Sequence, residues 1–264
     1  MKFTKMHGLG NDYLYVYGEV PGNAAELSKK LSERHLGAGS DGMIYISKSS
    51  IADFKMRIFN ADGSEAKMCG NGIRCVGKYV YDKGYTDKKF LSIETLSGVK
   101  YLTLQIVGGK VKTITVDMGQ AEAEKAMNLT VDGETVSLFP VSVGNPHAVI
   151  FVDDIEKAPL TKLGPIIEHH EAFPDGVNVE FVEVLGADKL RMRVWERGSG
   201  VTMACGTGAC ASVMAAIAAK LFHYDETVSV LLDGGTLKIQ IAPDNTVQMT
   251  GPAETVYEGE TEIC

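Results

Sequence analysis

A chain of 264 residues, 45% hydrophobic and 23% charged, has an ordinary globular composition; it is large enough to bury a core without disulfides and long enough for two domains. Its net charge of −8 excludes the clustered positive surface that nucleic-acid binding needs. No apolar run reaches membrane-spanning length and the opening Met1–Tyr13 stretch lacks the apolar centre of a signal peptide, so the expected setting is the cytoplasm, with neither membrane nor nucleic acid as partner.

In chain order, Gly10-Asn11 opens an apolar run through Val16, and Asp41-Gly42 leads into Met43-Ile44-Tyr45-Ile46. Phe54–Phe59 is rich in the apolar and aromatic residues of a strand. A polar loop then reaches Cys69-Gly70-Asn71-Gly72, beyond which Val76, Gly77, Tyr79 and Val80 fit a helix ending near Gly84. Lys110–Asp117 reads as a further strand. Gly144-Asn145 opens a second apolar run through Val152, and Asp175-Gly176 leads into Val177-Asn178-Val179-Glu180-Phe181. Strands are expected at Val179–Val184 and Arg191–Trp195. Cys205-Gly206-Thr207-Gly208 then precedes the alanine-rich segment Ser212–Phe222, which is strongly helix-forming. The helix after each cysteine is apolar nearly all round, which places both at domain centres.

These elements form a repeat. Met56-Arg57-Ile58-Phe59 and Met192-Arg193-Val194-Trp195 each precede a Cys-Gly-x-Gly motif, with thirteen residues from the methionine to the cysteine in both copies. The upstream matches keep offsets of about 134 to 136 residues. The expected organisation is two copies of one domain, 1–118 and 119–251; the tail 252–264 can pack on either and is grouped with the first.

Cys69 and Cys205 therefore occupy equivalent points, each just before a helix. There, free backbone N–H groups and the helix dipole are expected to lower a thiol pKa. The neighbouring glycines let a carboxylate approach the amides. Two such sites facing one cleft suit inversion at an α-carbon: one thiolate removes the proton from one face, and the opposite thiol delivers a proton to the other. The amides stabilise charge developing on the carboxylate. No pyridoxal-phosphate signature is found. An odd count of five cysteines in a chain without a signal argues for reduced thiols.

At these residues the chain resembles the diaminopimelate epimerase family, within the wider proline-racemase-like group, over essentially its whole length. The landmarks are His7-Gly8-Leu9-Gly10-Asn11-Asp12, Asn60-Ala61-Asp62-Gly63, Met68-Cys69-Gly70-Asn71-Gly72-Ile73-Arg74, Gly144-Asn145-Pro146-His147, Asp175-Gly176-Val177-Asn178, Glu196-Arg197-Gly198 and Ala204-Cys205-Gly206-Thr207-Gly208. The resemblance implies an α+β fold of two pseudo-symmetric domains, each a mixed β-barrel wrapped around a central α-helix, with the active site in the interdomain cleft. It implies epimerisation of LL- to meso-diaminopimelate, in lysine and peptidoglycan precursor synthesis, by a homodimer without cofactor or metal. Cys69 and Cys205 match its catalytic pair. His147 and Glu196 match residues that adjust the thiol pKa values. Asn11, Asn60, Gly70, Asn71, Asn145, Asn178, Glu196, Arg197, Gly206 and Thr207 match its substrate-binding positions, with the Arg197 fork suited to the distal carboxylate. Two positions depart from the common pattern: Val201 where a glutamate is frequent, its counterpart Glu65 being kept, and Gly42 where many members carry glutamine.

Simpler readings exist for each residue. A lone cysteine is more often a small buried hydrophobe than a catalyst; the matched tetrapeptides reverse that prior. A zinc site from Cys69/Cys75 and Cys205/Cys210 has spacings longer than the usual ones. Cys75, Cys210 and Cys264 are expected to be structural, and His169-His170 exposed. His147 alone reads as a turn histidine, the asparagines as turn or capping residues, and Glu196-Arg197 as a solvated pair. The glycine motifs lack a dinucleotide fingerprint. The alternatives are a racemase of another amino acid, histidine for example, a phenazine-synthesis type of isomerase, and a non-catalytic amino-acid-binding protein.

Overall fold

In the computed structural model, which describes residues 1–263, the chain divides into two units, Met1–Val116 with the segment from Gly251 onward, and Asp117–Thr250. Cys264 lies outside the described residues.

The first unit begins with an antiparallel pair, Lys2–Gly8 (β1) and Asn11–Tyr17 (β2). Helix Ala24–Ser32 (α1) carries the chain over to Gly42–Ser47 (β3), which pairs parallel with β2, as a crossover helix allows. Phe54–Asn60 (β4) runs antiparallel to β3, and the two-residue Glu65–Ala66 (β5) folds back on β4. Helix Gly70–Asp82 (α2) follows, then Phe90–Thr95 (β6), parallel to β4, and the antiparallel strands Gly98–Val107 (β7) and Lys110–Gln120 (β8). The last strand of the chain, Glu254–Glu260, returns to pair with β1, which ties the C-terminal segment to this unit.

The second unit repeats this path. After the short Glu122–Ala123 (β9) and the Met127–Val131 strand (β10), Glu134–Ser142 (β11) pairs antiparallel with Pro146–Phe151 (β12). Helix Leu160–Glu168 (α3) crosses to Asn178–Gly186 (β13), parallel to β12. Lys189–Glu196 (β14) is antiparallel to β13 and carries the three-residue Gly200–Thr202 (β15). Helix Gly206–Ala218 (α4) precedes Thr227–Leu232 (β16), parallel to β14, and the antiparallel Gly235–Ile241 (β17) and Thr246–Gly251 (β18). The parallel pairs, the short returning strand and the helix after the cysteine recur in the same order. The fold is α+β with two pseudo-symmetric copies, each a mixed strand array with one long helix packed on it.

The registers align the copies residue by residue. Gly42 pairs with Asn60 as its neighbour Met43 pairs with Phe59, while Val179 pairs with Trp195. Phe59 opposes Glu65 and Trp195 opposes Val201, so Val201 stands at the position of Glu65. Glu65 grips Arg57 with both carboxylate oxygens, a pairing Val201 cannot make. Gly42 is at φ 156, where an added Cβ would meet the Phe59 carbonyl at 2.2 Å and the Tyr13 ring at 3.0 Å. The backbone of β4, with the Tyr13 ring beside it, leaves no room for a side chain here, which accounts for the glycine.

The strands alternate buried and exposed residues as a half-covered sheet requires. The crossover helices seal one side. Leu27 and Leu31 of α1 pack on Phe3, Leu14, Met43 and Tyr45; Leu160, Leu163 and Ile167 of α3 pack on Leu129, Ala148, Val179 and Phe181. Helix α2 ends on Lys83, whose N–H bonds the Tyr79 carbonyl, and Gly84 follows at φ 75, the left-handed conformation that closes helices. Helix α4 is buried on every face and touches β9, β11, β12, β13, β14 and β17. No helix among the described residues is long and apolar enough to cross a membrane.

One of the buried thiols gives the core a pH dependence. Cys75, fully buried on α2, has its thiol pushed up from the ordinary 9.0 to about 12 by burial. Burial drives the neighbouring Tyr15 phenol upward too. A folded-state pKa raised in this way favours the neutral thiol. The stabilisation is therefore whole below pH 9 and is lost as pH rises through about 12, by up to roughly 4 kcal/mol. Denaturant unfolding followed across alkaline pH should show a steeper loss of stability for the native chain than for Cys75→Ala; equal slopes would refute the assignment.

Candidate active site

Cys69 and Cys205 are each the N-cap of the helix that follows. The sulfur of Cys69 accepts the Gly72 N–H at 3.2 Å, and that of Cys205 the Gly208 N–H at 3.4 Å. An extended N-cap residue, φ −141 in one copy and −113 in the other, aims its side chain at the open amides. Cys69 is half-buried and Cys205 is buried.

In the first unit the Cys69 thiol also donates to Asn11 Oδ1 at 3.3 Å, and Asn11 is held from behind by its Nδ2–H to Asp41 at 2.8 Å. Asn71 and Gly70 are fixed by the fully buried Arg74, whose guanidinium donates to Asn71 Oδ1 at 2.9 Å and to the Gly70 carbonyl at 3.1 Å. Asn60, at the end of β4, spends its Nδ2–H on the Ser64 hydroxyl at 3.0 Å. Tyr13 is an addition that sequence reasoning missed. Burial pushes its phenol well up, the adjacent Cys69 thiol pushes the same way, and a hydrogen bond with Asn11 opposes both.

In the second unit the polar residues form a chain. Glu180 Oε1 meets His147 Nδ1 at 2.7 Å; His147 Nε2 meets Asn145 Oδ1 at 3.1 Å; Asn145 Nδ2–H donates to Thr207 Oγ1 at 3.3 Å; and Thr207 Oγ1 lies 3.5 Å from the Cys205 sulfur. Glu196 is half-buried and accepts the Thr202 hydroxyl. Burial raises its pKa, against the Thr202 hydrogen bond, and the Glu180 carboxylate raises it further. Asn178 is used twice: its amide donates to the Pro146 carbonyl at 2.9 Å and accepts the Arg197 N–H at 3.0 Å. Arg197 itself is exposed and anchors one guanidinium nitrogen on the Asp175 carbonyl at 2.8 Å.

The expectation that a helix start lowers both thiol pKa values is corrected for Cys205. Burial pushes this thiol well above its ordinary value, and the Glu196 and Glu180 carboxylates add to the push. The Thr207 hydroxyl and the Gly208 amide pull it down, by less. Loss of solvation and two nearby negative charges outweigh two hydrogen bonds. Cys205 is thereby held as a neutral thiol.

Glu180 was also missed. Its signal was present: a carboxylate flanked by the apolar Val179, Phe181 and Val182 has to be paired or functional if that strand is buried. Cys75 and Cys210 are buried within their helices, away from the capping position. His169 is exposed and His170 half-buried. No cluster of three or more potential metal-ligating side chains occurs among the described residues.

Known proteins give this geometry a family. The chain matches the family described as diaminopimelate epimerase over residues 3–124 and 139–256. Relatives of that name are 49% identical in Acetivibrio thermocellus, over 100% of this chain and 99% of the relative, and 51% identical in Bacteroides thetaiotaomicron, over 99% and 98%. Among solved structures, a Bacillus anthracis phenazine biosynthesis protein of the PhzF family shares the fold with a TM-score of 0.80 at 16% identity, covering 100% of this chain and 99% of the other. A hydroxyproline epimerase from Agrobacterium vitis, with bound trans-4-hydroxy-L-proline, does so with a TM-score of 0.73 at 16% identity, covering 99% and 90%. With matched segments spanning both copies of the repeat and both cysteine motifs, the chain belongs to the diaminopimelate epimerase family.

Proposed function

We propose that this protein epimerises LL-diaminopimelate to meso-diaminopimelate, with Cys69 and Cys205 as the two acid–base groups. The observation that carries the mechanism is the equivalence of the two thiols: both cap a central helix, and both accept the amide hydrogen of the third residue onward. Inversion needs like groups on opposite faces of one carbon, and a duplicated fold is a direct source of them. In the resting enzyme Cys205 is the acid. Removal of the α-proton by Cys69 leaves a carbanion whose charge spreads into the substrate carboxylate. Amides at Gly70-Asn71 and Gly206-Thr207 take up that charge. Cys205 then delivers a proton to the other face, and the roles exchange in the reverse direction. His147 and Glu196 adjust the thiols, while Asn11, Asn60, Asn145, Asn178, Glu196 and Arg197 hold the substrate.

No pyridoxal phosphate or metal enters this scheme, because the thiols alone account for proton removal and return. The same reading takes the enzyme to work as a cytoplasmic homodimer supplying lysine and peptidoglycan precursors. The test is turnover of LL-diaminopimelate followed by chiral chromatography, alongside a panel of amino acids that includes histidine and proline. Formation of the meso isomer in preference to inversion of any other amino acid is expected. Inversion of a monofunctional amino acid instead, or of none, contradicts the assignment.

A further inference from the structure

The duplicated scaffold carries different chemistry at one matched pair of positions. In the first unit the β2 and β3 positions are Tyr13 and Ile44; in the second the β12 and β13 positions are His147 and Glu180. The glycine in the fourth position of each Cys-Gly-x-Gly motif faces the second member of this pair. A Cβ on Gly72 would meet Ile44 Cδ1 at 2.7 Å, and a Cβ on Gly208 would meet Glu180 Oε1 at 2.7 Å. The fold is thus built with an apolar side chain here in one copy, so a carboxylate in the other is not required for folding. Glu180 is moreover 0% exposed, and its Oε2 has no hydrogen-bond partner. A buried, half-satisfied carboxylate costs stability. Its retention beside the Cys205 helix calls for a role.

We propose that Glu180 is a positioning residue for Cys205 that acts through His147. The donor inventory supports this. His147 Nδ1 faces a carboxylate oxygen and Nε2 faces an amide oxygen, two acceptors, and the proposal accordingly places a proton on each ring nitrogen. The imidazolium then fixes Asn145 with its oxygen toward the ring and its N–H toward Thr207, and leaves the Thr207 hydroxyl hydrogen for the sulfur. Every donor along the chain then meets an acceptor, the last of them the Cys205 sulfur once it is a thiolate, the form it takes as the base of the reverse reaction. If His147 had one proton, on Nδ1, the Asn145 amide would turn over and the Thr207 hydroxyl would point away from the sulfur. The titratable groups around His147 are Glu180 on β13, Glu196 on β14 and Cys205 at the start of α4.

Glu180 has two opposed influences on Cys205. As a bare charge it holds the thiol pKa up. Through His147 and Thr207 it makes the thiolate reachable. Glu180→Gln keeps the shape and removes the charge, so the direction of its effect separates the two. This inference rests on Cys205 being one of the reacting thiols, and its first readout needs no turnover. In the substrate-free protein, nitrogen NMR of His147, assigned by loss of the signal in His147→Gln, should show both ring nitrogens protonated at neutral pH, and only one in Glu180→Gln. A singly protonated His147 in the native protein overturns the proposal, even if the variant fails to fold. In the second readout, with meso-diaminopimelate as substrate so that Cys205 is the base, the ascending limb of the kcat/KM–pH profile should move to higher pH in Glu180→Gln by about one unit, a roughly tenfold loss on that limb. An unmoved limb, or one moved to lower pH, shows that Glu180 acts as a bare charge or not at all, and overturns the proposal. Absence of epimerisation by the native enzyme would sink the functional reading while leaving the NMR result to decide this one.

Discussion

Cys69→Ala and Cys205→Ala should each reduce inversion of diaminopimelate by on the order of 10² to 10⁴, the range set by loss of one general acid–base group. The cause is geometric as well as chemical. On the proposed two-thiol scheme, either variant leaves one face of the α-carbon without its proton carrier, and the surviving thiol serves the other face alone. The single variants should therefore still exchange the α-proton with solvent from the face that the remaining thiol serves, without inverting. Combining the two substitutions should cost little more than either, because the groups act as a unit. The check is initial-rate epimerisation by chiral chromatography, with unfolding curves to show that both proteins remain folded. Substantial inversion by either variant would refute the two-thiol scheme. Cys75→Ala offers a contrast. Its thiol is fully buried and held neutral, so its loss should change alkaline stability and leave chemistry alone.

The second large effect falls at the far end of the substrate. Arg197→Ala should lower kcat/KM for diaminopimelate by about 10²-fold or more, as expected when a charged partner loses its paired guanidinium. The loop itself should survive. Its backbone is held by the Arg197 N–H on Asn178 Oδ1 at 3.0 Å and by the Gly198 N–H on Glu168 at 2.7 Å, neither of which needs the side chain. Arg197→Lys should recover only part of the loss, since an ammonium cannot present the planar fork that grips a carboxylate. Steady-state kinetics on both variants decide the matter. An unchanged kcat/KM means that no distal carboxylate is held there, and favours a racemase of a smaller amino acid.

Much of this was legible in the sequence because the fold is duplicated. Two copies of Met-Arg, an aromatic residue and Cys-Gly-x-Gly in one register identify the strand, the short loop and the helix start without a structure. The ladders then place Phe59 opposite Glu65 and Trp195 opposite Val201, as that register requires. The helix after each cysteine was visible from its composition and ends where Gly84 in one copy permits a left-handed turn. The four strands anticipated from β-branched and aromatic runs are present, each longer by one to three residues. Pairing continues past the apolar core into the polar ends, for example in Lys110–Gln120.

What the sequence could not convey was the balance of charge around the thiols. A helix start argues for a lowered thiol pKa, yet Cys205 is raised, because its burial and the two carboxylates are properties of tertiary packing. Glu196 was identified through family resemblance. Glu180, placed two residues after Asn178 and facing His147, carried a signal as a carboxylate among core residues, but its partner lies on another strand. Gly42 stood out as a departure from the family pattern, but nothing tied it to Tyr13. Only the packed structure shows that the ring of one occupies the space a side chain on the other would take.

The most direct measurement of the central claim is conversion of LL-diaminopimelate in heavy water, stopped at a small extent of reaction. Two thiols on opposite faces predict that the meso product carries deuterium at the inverted carbon, delivered by the solvent-exchanged acid, while recovered substrate retains its original hydrogen. Product that keeps the substrate's hydrogen, or deuterium accumulating in the recovered LL isomer faster than the meso isomer forms, would mean that one group serves both faces and would contradict the paired roles of Cys69 and Cys205.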